Sequence, residues 1–326
     1  MAQPNDTAGT GVMIKPGRGQ ASKSGLVKKL QFIIRNYDLY LLLLPTLAYF
    51  IIFHYVPMYG LQIAFQNFNP IKGYSGSPWV GFDNFDRFFQ SYQFGTIIKN
   101  TIGISLYELL VAFPAPIILA LMINQLTSER FKKVVQTVTY APHFISTVVV
   151  VGIVYLLLSP KTGAVNTFLG LFGINPIFFM GEAVWFKTVF VFSGIWQSVG
   201  WGTIIYLAAL TAVNPDLHEA AVVDGATKLQ RVLHIDIPSI MPTVIIMLIM
   251  NVGNMMGVGF EKVYLMQNQL NVDASETIQT YVYKAGLVQA QYSYAAAIGL
   301  FNNVINFILL ISVNKIAKSL KQTSLW

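Results

Sequence analysis

Six stretches of this chain stay apolar for about 20 residues or more, the length at which a helix crosses a bilayer. They are Leu39–Leu61, Ile97–Ile123, Val134–Leu158, Val189–Ala212, Ile240–Val258 and Ala295–Ile316. A hydrocarbon interior offers no water to backbone N–H and C=O groups, so each run is expected to be helical. The chain therefore reads as an all-α integral membrane protein with six transmembrane helices. Composition agrees, because only 11% of its 326 residues are charged, against about 25% in an ordinary soluble domain. Cysteine is absent, which excludes disulfides, thiolate metal sites and cysteine nucleophiles. The net charge of +7 could suggest nucleic acid, but the bases sit between apolar runs instead of clustering with aromatics on one soluble face.

Residues 1–30 are polar, rich in Gly, Ser, Lys and Gln, and lack the apolar core of a signal peptide. They are expected to form a disordered cytoplasmic tail ahead of a transmembrane domain over 31–326. Turn chemistry separates the apolar runs: Asn69-Pro70, Ser77-Pro78, Ser159-Pro160 and Asn175-Pro176 all lie between them. Basic residues are retained on the cytoplasmic side of a bilayer. With both termini inside, 14 of the 21 bases are cytoplasmic, Arg130, Lys132, Lys133, Lys228, Arg231 and Lys315 among them. Seven lie outside: Lys72, Arg87, Lys99, Lys161, Lys187, Lys262 and Lys284. This topology puts the loop over 214–236 in the cytoplasm.

That loop, with the residues that follow it, reads NPDLHEAAVVDGATKLQRVLHIDIP from Asn214 to Pro238. Asn214 suits a helix N-cap, Pro215 the first helical position, and Asp216 and Glu219 the positive end of the helix dipole. Asp224-Gly225 is a stop, since glycine tolerates the left-handed conformation. A second short helical stretch is expected over Thr227–His234, and Pro238 is expected to open the next span. A helix–Gly–helix hairpin with small residues on one face can seat in a partner's groove.

At these residues the sequence resembles the permease subunits of binding-protein-dependent ABC importers. Their EAA loop runs Glu-Ala-Ala, three residues, Gly, nine residues, then Ile-x-Leu-Pro. Glu219, Ala220, Ala221, Gly225, Ile235 and Pro238 match that spacing, with Ile237 in place of the leucine. The resemblance implies a coupling helix between the fourth and fifth spans that docks on an ATPase subunit, Glu219 facing its surface and Gly225 making the bend after Asp224. Tyr140–Ser146 and the Gly163…Asn166…Leu169…Gly173 run resemble the sugar permeases, and Leu41–Gln62 resembles those handling polysaccharide fragments, the alginate-oligosaccharide type most of all. Import of oligo- or polysaccharide fragments through the bacterial inner membrane is the implied function. The implied partners are a second, different permease subunit, two ATPase subunits and an extracytoplasmic solute-binding protein. No P-loop occurs in the chain; the resemblance therefore puts ATP and Mg on the partner ATPase, with no cofactor on this chain and no enzymatic role for it.

Polar side chains at membrane depth face a bundle interior or a water-filled path. Candidates for the sugar pathway are Glu108 in the second run, Trp196, Gln197 and Trp201 in the fourth, and Asn251 and Asn254 in the fifth. Aromatic faces would stack on pyranose rings and amides would bond hydroxyls. The same residues could instead be glue between helices, the reading given to Asn302, Asn303 and Asn306. Phe113-Pro114-Ala115-Pro116 marks a kink just after Glu108. An ion-coupled secondary transporter is the alternative, but it would use several intramembrane acids and would leave the EAA loop without a purpose.

Overall fold

The computed structural model describes residues 35–326; the tail expected over 1–30 lies outside the described residues. The chain divides into two compact units, Met1–Leu61 and Gln62–Trp326. Residues 37–61 of helix α1, Tyr37–Phe65, make up nearly all of the described part of the first unit. Its 29 residues reach about 43 Å at 1.5 Å per residue, enough to cross a tilted hydrocarbon core. Leu41, Leu42, Leu43, Leu44 and Leu47 on it are all exposed, as suits a helix whose solvent is lipid.

The second unit is built on α2 (Phe94–Asn124), α3 (Glu129–Phe144), α4 (Thr147–Leu157) and α5 (Ala183–Thr211), then α6 (Pro215–Val223), α7 (Lys228–Gly253), α8 (Phe260–Met266) and α9 (Tyr292–Ser319). With α1, helices α2, α5, α7 and α9 are each long and apolar enough to cross a membrane. The run over Val134–Leu158, expected as one span, differs. It is a broken pair, α3 and α4, bent by 102°. Pro142 removes a backbone donor at the break, and Ile145 and Ser146 take extended conformations that end one helix before the next begins. Arg130, Lys132 and Lys133 make α3 amphipathic, so it cannot be immersed on all sides. The 11 residues of α4 reach only about 16 Å.

Three of the long helices widen into a single π-turn at the same place relative to a proline. Ile51–Tyr55 precedes Pro57, Glu108–Ala112 precedes Pro114, and Val232–Asp236 precedes Pro238. Proline has no N–H to give and its ring crowds the carbonyl four residues back; one wider turn relieves both without breaking the helix. For this reason Pro238 does not open a span. It lies within α7, which begins at Lys228, inside the loop expected to run to 236.

One apolar cluster joins α2, α4, α5 and α8 through Ile104, Val154, Phe186, Phe190, Val263 and Met266. Another, at the opposite end, joins α2, α5 and α7 through Ile123, Tyr206, Leu210 and Ile240. Gly200 lets α5 approach α3 backbone to backbone: a Cβ there would fall 2.1 Å from the Thr139 carbonyl oxygen.

Candidate translocation path and coupling loop

The loop between α5 and α7 owes its shape to local chemistry. The Asn214 side chain accepts from the Asp216 N–H at 3.0 Å, capping α6, with Pro215 at its first position. Gly225 has φ +78°, the left-handed conformation that ends α6, and a Cβ there would meet nothing. Thr227 and Gln230 form a reciprocal capping box that starts α7. The exposed faces of α6 and the first turns of α7 carry Leu217, Glu219, Ala220, Val222, Asp224, Leu229 and Leu233, while Ala221 and Ile235 are half-buried. No residue of α6 is buried. It is a rigid, capped element lying on the surface with an apolar face uncovered.

Between α2, α5 and α7 lies a cavity of about 670 Å³, within the usual range for ligand sites, about 300–1,000 Å³. The wall from α2 includes Ser105, Glu108 and Pro116; that from α5 includes Ile195, Ser198 and Gly202; that from α7 and its end includes Met250, Asn251 and Asn254. Gly202 admits Pro116, since a Cβ there would sit 3.0 Å from the proline Cβ. Glu108 opens the π-turn of α2 and makes no hydrogen bond or ion pair among the described residues. The charge that acts on it is Lys262 of α8. The Lys262 amine is buried, donating to the Phe190 carbonyl at 2.9 Å over the Phe190 ring. Burial pushes it down to about 8, with the Glu108 carboxylate pulling the other way. Asn251 Nδ2 donates at 2.8 Å to Met247 of its own helix, and both Asn251 and Asn254 are exposed to the cavity.

Of the six pathway candidates, the structure gathers Glu108, Asn251 and Asn254 on this cavity. Trp196, Gln197 and Trp201 lie elsewhere. Trp196 lines a separate apolar groove with Val154, Leu157 and Phe192. Gln197 Nε2 donates to the Ile145 carbonyl at the α3–α4 break, 3.0 Å away. Trp201 stacks on His143, their ring centroids 4.5 Å apart. Successive residues on a helix differ by about 100° in direction, so Ile195, Ser198 and Gly202 share one stripe of α5 and cannot share it with Trp196 and Gln197. Ser105 and Ser198 were missed by the sequence reading, and a signal for Ser105 was present: it stands three residues before Glu108, as Asn251 stands three before Asn254. Asn306 behaves as helix glue, its Oδ1 accepting from the Met256 N–H at 2.9 Å.

A second polar cavity, about 520 Å³, is lined by Lys99, Asn100, Lys187 and Asp273. Gly103 leaves room for the Lys187 ammonium, which a Cβ there would approach to 2.7 Å. Neither lysine has a carboxylate within 4 Å among the described residues.

Comparison with known proteins places this geometry. The family model described as "Binding-protein-dependent transport system inner membrane component" matches residues 112–322. Protein LplB of Bacillus subtilis (strain 168) is 43% identical over 292 residues, 90% of this chain and 92% of its own. The polygalacturonan/rhamnogalacturonan transport system permease protein YteP of the same organism is 42% identical over 294 residues, with the same two coverages. Among solved structures, a chain of a bacterial ABC transporter involved in the import of the acidic polysaccharide alginate superposes with a TM-score of 0.83 at 41% identity, covering 90% of this chain and 99% of that one. The bacterial alginate ABC transporter in complex with alginate pentasaccharide-bound periplasmic protein gives 0.84 at the same identity and coverage.

Proposed function

Since the chain belongs to the family of binding-protein-dependent transport system inner membrane components, we propose that its 670 Å³ cavity is the path by which carbohydrate fragments cross the bilayer. The chain is a multi-pass, non-catalytic permease subunit of an ABC importer, with the ATPase on a separate chain. Family membership leaves ion-coupled transport without support. The substrates are oligo- or polysaccharide fragments, delivered by an extracytoplasmic binding protein and moved by two ATPase subunits acting on this chain and a second, different permease subunit. The observation that carries the reading is the cavity wall: a largely apolar lining set with two neutral amides, Asn251 and Asn254, the hydroxyls of Ser105 and Ser198 and one acid, Glu108, on three helices that converge on the capped coupling loop. Such a wall suits weak binding, and a path that held its substrate tightly would not release it. Acidic fragments fit the class, because Lys99 and Lys187 offer two ammonium groups on one polar wall and relatives carry polygalacturonan and alginate.

In this reading α6 lies in the cytoplasm with both termini, and Glu219, Ala220, Ala221, Asp224 and Gly225 present the docking helix to the ATPase, with Ile235 and Pro238 leading into α7. The complete transporter in proteoliposomes, given a panel of neutral and acidic oligosaccharides, is the test. Uptake that depends on both ATP and binding protein is expected for at least one fragment. Absence of uptake across the panel would overturn the substrate class. Orientation is read separately by single cysteines in this cysteine-free chain. Exposed positions Ser75, Thr162 and Gln289 should label from outside, and exposed Arg130, Lys228 and Lys321 should not; outside labelling at Lys228 refutes the docking assignment.

A further inference from the structure

α6 has no buried residue, yet a docking helix must pass its motion on to something. Two routes leave it. One is covalent: residues 212–214 join it to α5. The other runs through Asp236, the last residue of the π-turn in α7. The side chain of Asp236 is fully buried, although His234 and Leu233 beside it are exposed. Its Oδ1 lies 3.2 Å from His218 Nε2, on the middle of α6. Its Oδ2 accepts from Gln125 Nε2 at 3.0 Å, and Gln125 is the C-cap of α2. One carboxylate thus holds α6, α7 and α2 together, with a different oxygen for each outside partner.

His218 Nε2 stands at ion-pair distance from Oδ1, which receives no hydrogen bond. Arg231, five residues before Asp236 and so above it across a π-turn, adds positive charge on the same side, its Nε buried without a partner. A buried carboxylate is costly unless every lone pair has company, so such a group resists separation from its partners. Two of the three helices that wall the cavity meet at this point. α2 carries Ser105 and Glu108 on the cavity wall, and α7 carries Met250 and Asn251 there. The third, α5, is the one joined to α6 by the chain itself.

We propose that Asp236, His218 and Gln125 form a joint through which displacement of the coupling helix moves α7 and α2, and so opens or closes the cavity. The three are positioning residues; none lies on the cavity wall. The inference rests on the cavity being the path, and its test reads motion instead of sugar, so that the two can fail separately. Spin labels on cysteines at Ser198 and Met250, across the cavity, report its width in the complete reconstituted transporter with and without ATP. ATP should change that distance in the otherwise unaltered protein. His218→Ala and Gln125→Ala should each cut the change to less than half while assembly and basal ATP hydrolysis persist, and His218→Lys, which places an ammonium opposite Asp236, should recover most of it. Gln125→Ala alters nothing on the docking helix, so it carries the test even where His218→Ala weakens assembly. An unaltered protein whose distance does not respond to ATP overturns the joint, as does a full response in both alanine variants. Lost sugar uptake with an intact distance change would instead count against the path.

Discussion

At the end of the bundle formed by residues 66–93, 159–182 and 260–291, side-chain amides and hydroxyls bind the backbone of distant segments; at the end carrying α6, one carboxylate does the tying. Asn271 Nδ2 donates to the Met180 and Met266 carbonyls, and its Oδ1 accepts from Asn268 N and Ser275 Oγ. Asn166 ties the Leu158, Ser159 and Ile177 carbonyls and the Ile177 N–H. Asn100 holds Asp273 and Glu276, Thr101 accepts from Ile278, and Lys284 pairs with Glu276 at 2.6 Å. Irregular backbone buried in this way must have each polar group answered. The result is a cap of fixed shape on the side proposed to meet the binding protein. The coupling end shows the opposite design, local caps and an exposed helix whose one side-chain tie to another element, among the described residues, is His218 to Asp236. A platform needs many independent ties, and a lever needs few.

The largest effect expected from this contrast is that of Glu219→Lys. Glu219 is exposed and makes no hydrogen bond or ion pair among the described residues, so reversing its charge should leave the thermal midpoint of the detergent-solubilised protein within a degree or two. Uptake should be nearly abolished, with ATPase subunits failing to co-purify. A lowered midpoint with normal co-purification would show that α6 belongs to the fold and not to the docking surface.

Asn271→Ala comes next and should behave in reverse. The Met180 and Met266 carbonyls keep a second donor each, Asn268 Nδ2 and the Tyr155 hydroxyl, but the Asn268 N–H and the Ser275 hydroxyl lose the amide oxygen that accepts from them, which costs about 1–3 kcal/mol. The midpoint should fall by several degrees, while uptake per folded molecule survives. An unchanged midpoint would mean that the cap is not held by its amide network, and the comparison would lose one side.

A smaller effect is expected of Gly225→Ala. A left-handed residue with a Cβ costs roughly 1–2 kcal/mol, but nothing packs on this position. The strain should lower uptake a few-fold, with a fall in midpoint smaller than that of Asn271→Ala. Proline scanning through the same turn by thermal melting and uptake assay would show whether its shape or its flexibility matters.

How much of this was legible in the sequence follows from the range of each interaction. The first half of the loop was readable nearly to the residue, because Asn214, Pro215 and Gly225 act on backbone groups within three positions of themselves; the second half was not, since the stretch from Thr227 runs through a π-turn and past Pro238 as part of α7. The long helices were readable because a bilayer demands length and apolarity, both of which are counts along the chain. The break between α3 and α4 was not read, since Val134–Leu158 is apolar enough to pass as one span and only Pro142 and the bases of α3 argue against it. The stripe of α5 that faces the cavity was hidden for a different reason. That helix is apolar on all sides, so composition gave no direction, and the two tryptophans chosen as pathway candidates lie off the stripe that lines the cavity. The cap was out of reach because its partners are far apart: Asn100 and Asp273 are separated by 173 residues.

The smallest effect sharpens the comparison inside the membrane, where pathway and glue use the same residue type. Asn251 and Asn306 are both asparagines on spanning helices, but their amides do different things. Asn306 accepts from the Met256 N–H across to the end of α7, a bond between elements. Asn251 donates only to Met247, one turn back on its own helix, with its side chain exposed on the cavity. Removing the Asn306 amide strands a backbone donor at 2.9 Å, so Asn306→Ala should lower the midpoint by an amount corresponding to about 1–2 kcal/mol, with uptake per folded molecule unchanged. Asn251→Ala strands nothing that water in the cavity cannot satisfy, so the midpoint should hold within about 0.5 kcal/mol. Its effect belongs to the substrate: initial uptake should fall two- to five-fold, about 0.4–1 kcal/mol for one neutral hydrogen bond to a sugar hydroxyl. Larger fragments, which touch more of the wall at once, should lose more than small ones. Equal midpoints and equal uptake in the two variants would remove the distinction between wall and glue, and the cavity would then have to be traced by cross-linking the sugar itself.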